Sequence, residues 1–131
     1  MIASRSIQQN SATKLRLAYK AAPIQGKSTL VAKLDQLIAG ELSNSDLSIS
    51  FLASALFMSE RQLYRKVKQK TGKTPNEYIQ ECRLQKARQL LYSGQIEMLK
   101  EVSQQIGYKR TDYFSNLFEK RFGIRPAALL S

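Results

Sequence analysis

Arg61, Arg65 and Lys68 are spaced four and three residues apart, so on an α-helix they would share one face. Such side chains act by donation: arginine presents a planar fork to a carboxylate, a phosphate or a guanine edge, and lysine a mobile point charge. The three lie within Met58–Pro75, a stretch holding six lysines and arginines against one acid, Glu60. Other chemistry lacks its parts. The chain has no histidine and one cysteine, Cys82, so neither a zinc site nor a Cys–His nucleophile has ligands to build from. No cofactor, metal or enzymatic activity is expected, and Cys82 reads as a packed thiol at helical spacing.

Composition narrows the partner. The 131 residues suit one domain with a modest core. The 21 basic residues against 10 acidic ones leave a net charge of +11. Such a field draws in nucleic acid, an anionic membrane surface or acidic proteins. No window approaches the ~18 apolar residues of a membrane span, so no membrane partner is expected. "MIASRSIQQNSATK" lacks the apolar stretch of a signal peptide. A lone thiol forms no internal disulfide, and the expected location is cytoplasmic.

The elements that must position the cations are helices. Residues 1–27 read as a basic N-terminal arm or linker, with Arg5, Lys14, Arg16, Lys20 and Lys27, no acid, and a short helix near Ala12–Ala22. "AAPIQGKST" touches the phosphate-loop pattern, but Ala21 stands at its first glycine and no apolar strand precedes it. Ser28 is therefore read as a helix N-cap. Leu30, Leu34, Leu37, Ile38 and Leu42 follow the spacing of one buried stripe, which "SNSD" ends. A short helix over Ile49–Phe57 turns Leu52, Ala53 and Leu56 inward. Ser59 and Gln62 then make a capping box, with Gly72 at the C-cap. Thr74-Pro75-Asn76-Glu77 starts a long helix that buries Tyr78, Ile79, Cys82, Ala87, Leu90 and Leu91 and stops at Gly94. No β-alternation of useful length occurs, so the fold class is all-α.

The pattern of short helix, turn, longer helix and glycine occurs twice, over Ile49–Pro75 and Leu99–Pro126. Ile49, Leu52, Ala53 and Leu56 pair with Leu99, Val102, Ser103 and Ile106. Leu63, Val67, Gly72 and Pro75 pair with Phe114, Phe118, Gly123 and Pro126, at an offset one residue larger. The extra residue falls in the turn. Each copy has the form of a helix-turn-helix, and two in phase are far more specific than one.

Projection at ~100° per residue separates the copies. In the first, Arg61, Arg65 and Lys68 lie opposite Leu63 and Val67, with Lys66 and Lys70 on the flank. A solvated face normally mixes signs, and the like-charged pair Arg61–Arg65 at i, i+4 costs a few tenths of a kcal/mol. Massed cations on a projecting face therefore point to a polyanion. In the second copy Phe114, Leu117, Phe118 and Phe122 turn inward, with Tyr113 at the edge and Asp112, Ser115, Asn116 and Glu119 outward. Asparagine can read adenine and aspartate can accept from cytosine. Lys109, Arg110 and the helix N-terminus at Thr111 can hold phosphate. The expectation is an unequal pair, the first unit supplying most of the affinity and the second position and modest selectivity. On these residues alone, a non-specific nucleic-acid module and an interaction domain for an acidic protein stay open.

"MSERQLYRK", "TPNEYI", "RLQKARQLL" and "IGYKRTDYFSNLFEKRFG" together resemble the DNA-binding domain of AraC/XylS-type transcription regulators, over about Leu30 to Pro126. "SERQLYRKVKQKTGKTPNEYI" looks most like the C-terminal output domain of a hybrid two-component regulator. The resemblance implies about seven helices, two helix-turn-helix subdomains joined by a long linker helix, within residues 28–131. The first is expected over about 49–72, the linker helix over 75–93 and the second over 99–123. It implies sequence-specific binding of double-stranded DNA to regulate transcription, with helices 59–71 and 111–122 in successive major-groove segments. Carried over by position, base contacts fall on Arg61, Gln62 and Arg65 and on Asp112, Ser115 and Asn116. Phosphate contacts are expected from Ser59, Lys66, Lys68, Lys70 and Lys73 and from Lys109, Arg110 and Thr111. RNA polymerase is the further partner if the chain activates. The chain is either a stand-alone short member or, the preferred reading, the C-terminal output piece of a longer protein with a sensor or receiver domain upstream. Three residues depart from the family pattern: Phe57 stands at the usual turn glycine, Asn116 at an often basic site, and Arg125 before Pro126.

Overall fold

The computed structural model describes residues 29–130. The expected arm over 1–27, the helix near Ala12–Ala22 and the Ser28 cap lie outside them. Among the described residues there are six α-helices and no strand: α1 Thr29–Gly40, α2 Ile49–Ala55, α3 Glu60–Thr71, α4 Pro75–Tyr92, α5 Leu99–Gln105 and α6 Thr111–Phe122. A 3-10 turn over Pro126–Leu129 follows. The all-α expectation holds.

The helix starts follow from local chemistry. Ser48 caps α2 by accepting from the Phe51 N–H at 3.0 Å. Ser59 and Gln62 close the capping box of α3, and Thr74 and Glu77 that of α4, with Pro75 in the first turn. Each box satisfies two N–H groups that a helix start leaves orphaned. The Thr74 backbone N–H holds the Glu77 carboxyl below its ordinary value. Gly72 and Gly123 end α3 and α6 at φ 78°, a left-handed turn that glycine makes without a Cβ clash. α2 ends at Ala55, two residues before the expected Phe57, because the chain leaves the helix at Leu56 for the turn.

Two cores divide the long helix α4 between them. Leu34, Ile38, Leu52, Ala53, Leu63, Val67 and Ile79 form the first, with Tyr78 and Cys82 packed against it. Leu84, Ala87, Leu91, Ile96, Val102, Ile106, Phe114 and Phe118 form the second, with Leu90 at its edge. A helix facing two cores must be apolar on two sides, so α4 carries no simple amphipathic stripe. The Tyr78 hydroxyl donates to Asp35 Oδ1 at 2.5 Å, fastening α1 to α4.

The repeat is visible in three dimensions. α2 and α5 have seven residues each, and α3 and α6 twelve. Both turns close on the same bond, from the Met58 N–H to Ala53 O at 3.0 Å and from the Tyr108 N–H to Ser103 O at 2.9 Å. The extra residue of the second turn lies beyond that bond, before α6.

Candidate nucleic-acid interface

α3 hangs on Leu63 and Val67, both fully buried, and everything between them faces out. Arg61, Gln62, Arg65, Lys66, Lys68 and Lys70 are exposed, as are Ser59 before the helix and Lys73 beyond it. Gln62 Oε1 accepts the Ser59 N–H at 3.0 Å, so its carbonyl is occupied in the cap and its amide N–H groups remain for another acceptor. Among the described residues, no salt bridge engages Arg61, Arg65, Lys66, Lys68, Lys70 or Lys73. Tyr64, 52% exposed, stands on the same outer surface and was not among the expected contacts.

The second unit has no cation at any of the matching positions: two carry acids and one a neutral amide. Alignment of the repeats sets Arg61, Arg65 and Lys68 against Asp112, Asn116 and Glu119. Asp112, Asn116 and Glu119 are exposed as expected. Ser115 is the correction: it is 4% exposed, so it does not share their open face. Its place on the helix is only about 90° from the centre of the buried phenylalanines, and a small side chain on that flank is covered. Thr111 is half-buried, and Lys109 and Arg110 are exposed.

The acids of α6 are paired. Arg110 donates through Nε and Nη2 to the two oxygens of Asp112 at 3.2 and 2.7 Å. That fork holds the Asp112 carboxyl below its ordinary value and raises the guanidinium. Arg125 donates to Glu119 at 2.8 Å. Arg121 makes a second fork, at 2.8 Å on both arms, to Glu81 of α4, and this holds the Glu81 carboxyl down at about 2. Lys109 approaches Asp46 at 3.8 Å in full solvent, a contact of little weight.

Between the two units sits Arg83, 5% exposed, the residue sequence reasoning missed. Its Nη1 donates to Ile106 O at 2.7 Å and Leu42 O at 3.1 Å, and its Nη2 to Asn44 O at 3.1 Å. Leu42 and Asn44 belong to the loop between α1 and the first unit, and Ile106 ends α5, so one side chain on the shared helix ties the loop leading into the first unit to the second unit. The Tyr108 ring lies 5.5 Å from the guanidinium carbon, and burial pushes the Tyr108 phenol up to about 12. No carboxylate among the described residues answers the charge; backbone carbonyls do, including the negative end of α5. A signal was available: Ile79, Arg83, Ala87 and Leu91 recur every fourth residue, placing an arginine inside a core stripe.

The two turns differ at one position. Gly107 has φ 85°, and a Cβ there would stand 1.8 Å from Arg83 Nη1 and 2.4 Å from Leu42 O. Its counterpart Phe57 adopts φ 58° with its ring 96% exposed. The departure noted at Phe57 is thus a bulky L-residue in a left-handed turn, without the crowding that Gly107 relieves.

Two helix-turn-helix units locked to a shared helix define the class of protein, and known proteins agree. A family model described as a helix-turn-helix domain matches residues 52–131. Histidine kinase P4 of Formosa agariphila is 35% identical over 98 residues, covering 75% of this chain and 7% of that protein. The HTH-type transcriptional activator RhaS of Citrobacter koseri is 32% identical over 114 residues, 86% of this chain and 41% of its own length. Among solved structures, the C-terminal domain of AraT, a response regulator from Geobacillus stearothermophilus, is 31% identical with a TM-score of 0.69. It covers 78% of this chain and 84% of its own. The chain therefore belongs to the AraC-type helix-turn-helix family. It spans less than half the length of the curated relatives described.

Proposed function

We propose that the chain binds double-stranded DNA sequence-specifically to regulate transcription, with α3 and α6 in successive major-groove segments. The observation that carries this reading is α3: a doubly capped, rigidly seated helix whose outer face presents cations that no salt bridge engages among the described residues. Such a face binds a polyanion, and arginines at helical spacing on it suit guanine edges. Arg61, Gln62 and Arg65 are its base readers, with Ser59, Lys66, Lys68, Lys70 and Lys73 on phosphates. In the second unit Asp112 and Asn116 face the bases, and Lys109, Arg110 and the α6 start at Thr111 hold the backbone. In this reading residues 28–131 are the DNA-binding domain, with the units over about 49–72 and 99–123.

The chain acts by binding and not by catalysis, in the cytoplasm, as the output portion of a two-component regulator; RNA polymerase is its further partner where it activates. Likeness to a response-regulator domain and to part of a histidine kinase supports that placement. Selection from a random duplex pool tests the central claim. Two short half-sites about one helical turn apart are expected. An unenriched pool, with affinity set by salt alone, would refute it.

A further inference from the structure

Arg110 replaces the residue type that its position asks for. It is the N-cap of α6, the counterpart of Ser59, and its side chain makes no cap hydrogen bond. An N-cap without a serine-like acceptor forgoes a bond that ordinarily stabilises a helix start. The side chain instead reaches to Asp112 and grips it through Nε and Nη2 at 3.2 and 2.7 Å. A guanidinium has five N–H donors in a plane. With its side edge occupied, its end edge still offers one N–H from Nη1 and one from Nη2, the spacing that matches guanine O6 and N7. Both residues are exposed and stand at the first turn of α6, the end of a recognition helix that meets base edges.

We infer that Arg110 is a specificity-determining residue that reads a guanine in the second half-site, and that Asp112 holds its guanidinium in the reading orientation. This rests on the DNA-binding reading above and moves Arg110 from the phosphates to a base edge. Asp112 is then a positioning residue, and the arginine that α6 lacks along its outer face is supplied from its N-cap. Holding the fork in place beforehand lowers the ordering cost at the moment of binding.

The experiment is duplex selection with the wild-type chain, R110A, R110K and D112N, followed by affinity and salt dependence on the selected and on a random duplex. Wild type is expected to select a guanine in the half-site assigned to α6. R110A should lose on the order of 10-fold or more on the selected duplex and much less on the random one, with selection relaxed at that base pair. R110K keeps the charge without the fork and should also lose the guanine preference. D112N should weaken that preference without substituting another base. Equal loss on both duplexes in R110A, with a salt slope smaller by about one, would make Arg110 a phosphate contact and overturn the proposal. Full guanine preference in R110K would overturn it as well, as would a switched base in D112N, which makes Asp112 the reader. If wild type itself enriches no sequence, the DNA-binding reading fails first. Thermal melts of the exposed-site variants are expected to match wild type.

Discussion

Arg83 and Gly107 should be energetically coupled, and the coupling can be worked from the structure. Arg83→Met removes three charge-assisted hydrogen bonds and leaves Ile106 O, a buried carbonyl, without its partner, while water can reach Leu42 O and Asn44 O in the more open loop. Orphaning one buried acceptor costs about 1–3 kcal/mol, and the lost bonds add to it. Removing a buried cation returns part of its desolvation cost. A net loss of about 3 kcal/mol is expected, or on the order of 10–20 °C in Tm for a domain of this size. Gly107→Ala strains a φ of 85° by about 1–2 kcal/mol. It also sets a methyl 1.8 Å from Arg83 Nη1, expelling the guanidinium, so its total should equal or exceed that of Arg83→Met. With methionine already in place there is no guanidinium to expel. The double mutant should therefore be less destabilised than the sum by about 3 kcal/mol, the loss that both single changes share. Urea unfolding of the four proteins measures this. Additivity within about 0.5 kcal/mol, or a loss under about 1 kcal/mol for Arg83→Met, would refute the claim that this side chain fastens the loop leading into the first unit to the second unit.

Phe57→Gly should stabilise the chain by roughly 0.5–1 kcal/mol, read as a raised urea midpoint: an exposed ring loses no burial, and relief of left-handed strain exceeds the entropy that glycine adds to the unfolded state. Acid should weaken the link from α4 to α6. The folded Glu81 carboxyl sits at about 2 against an ordinary 4.5, so its contribution is complete above pH ~4.5 and disappears as pH falls toward 2. Glu81→Gln should flatten stability against pH in that window by about 1–2 kcal/mol, allowing for solvent at the half-exposed Arg121; an unchanged slope would show the pair to be idle. Arg65→Ala should cost about 1–3 kcal/mol on a selected duplex and relax one base pair, and an equal loss on random DNA would make Arg65 a phosphate contact.

The sequence by itself determined the helices, their starts and the twofold repetition. Those features rest on interactions within one turn: capping boxes at Ser59 and Thr74, glycines at 72 and 123, and apolar spacing that survives from Leu63 and Val67 to Phe114 and Phe118. The exposed cations of α3 were legible for the same reason, since a helix with two buried anchors has only one way to face. Tertiary structure decided what lies between distant segments. Arg83 reads as one more basic residue until Leu42, Asn44 and Ile106 converge on it from about 20 to 40 residues away in the chain. Ser115 lies near the border of the projected face, and neighbouring packing covered it. Along the chain the acids of α6 read only as outward-facing groups, Asp112 among them as a base reader. In space Arg110 and Arg125 hold them, because a long side chain's partner is set by where the backbone brings it and not by its own helix alone.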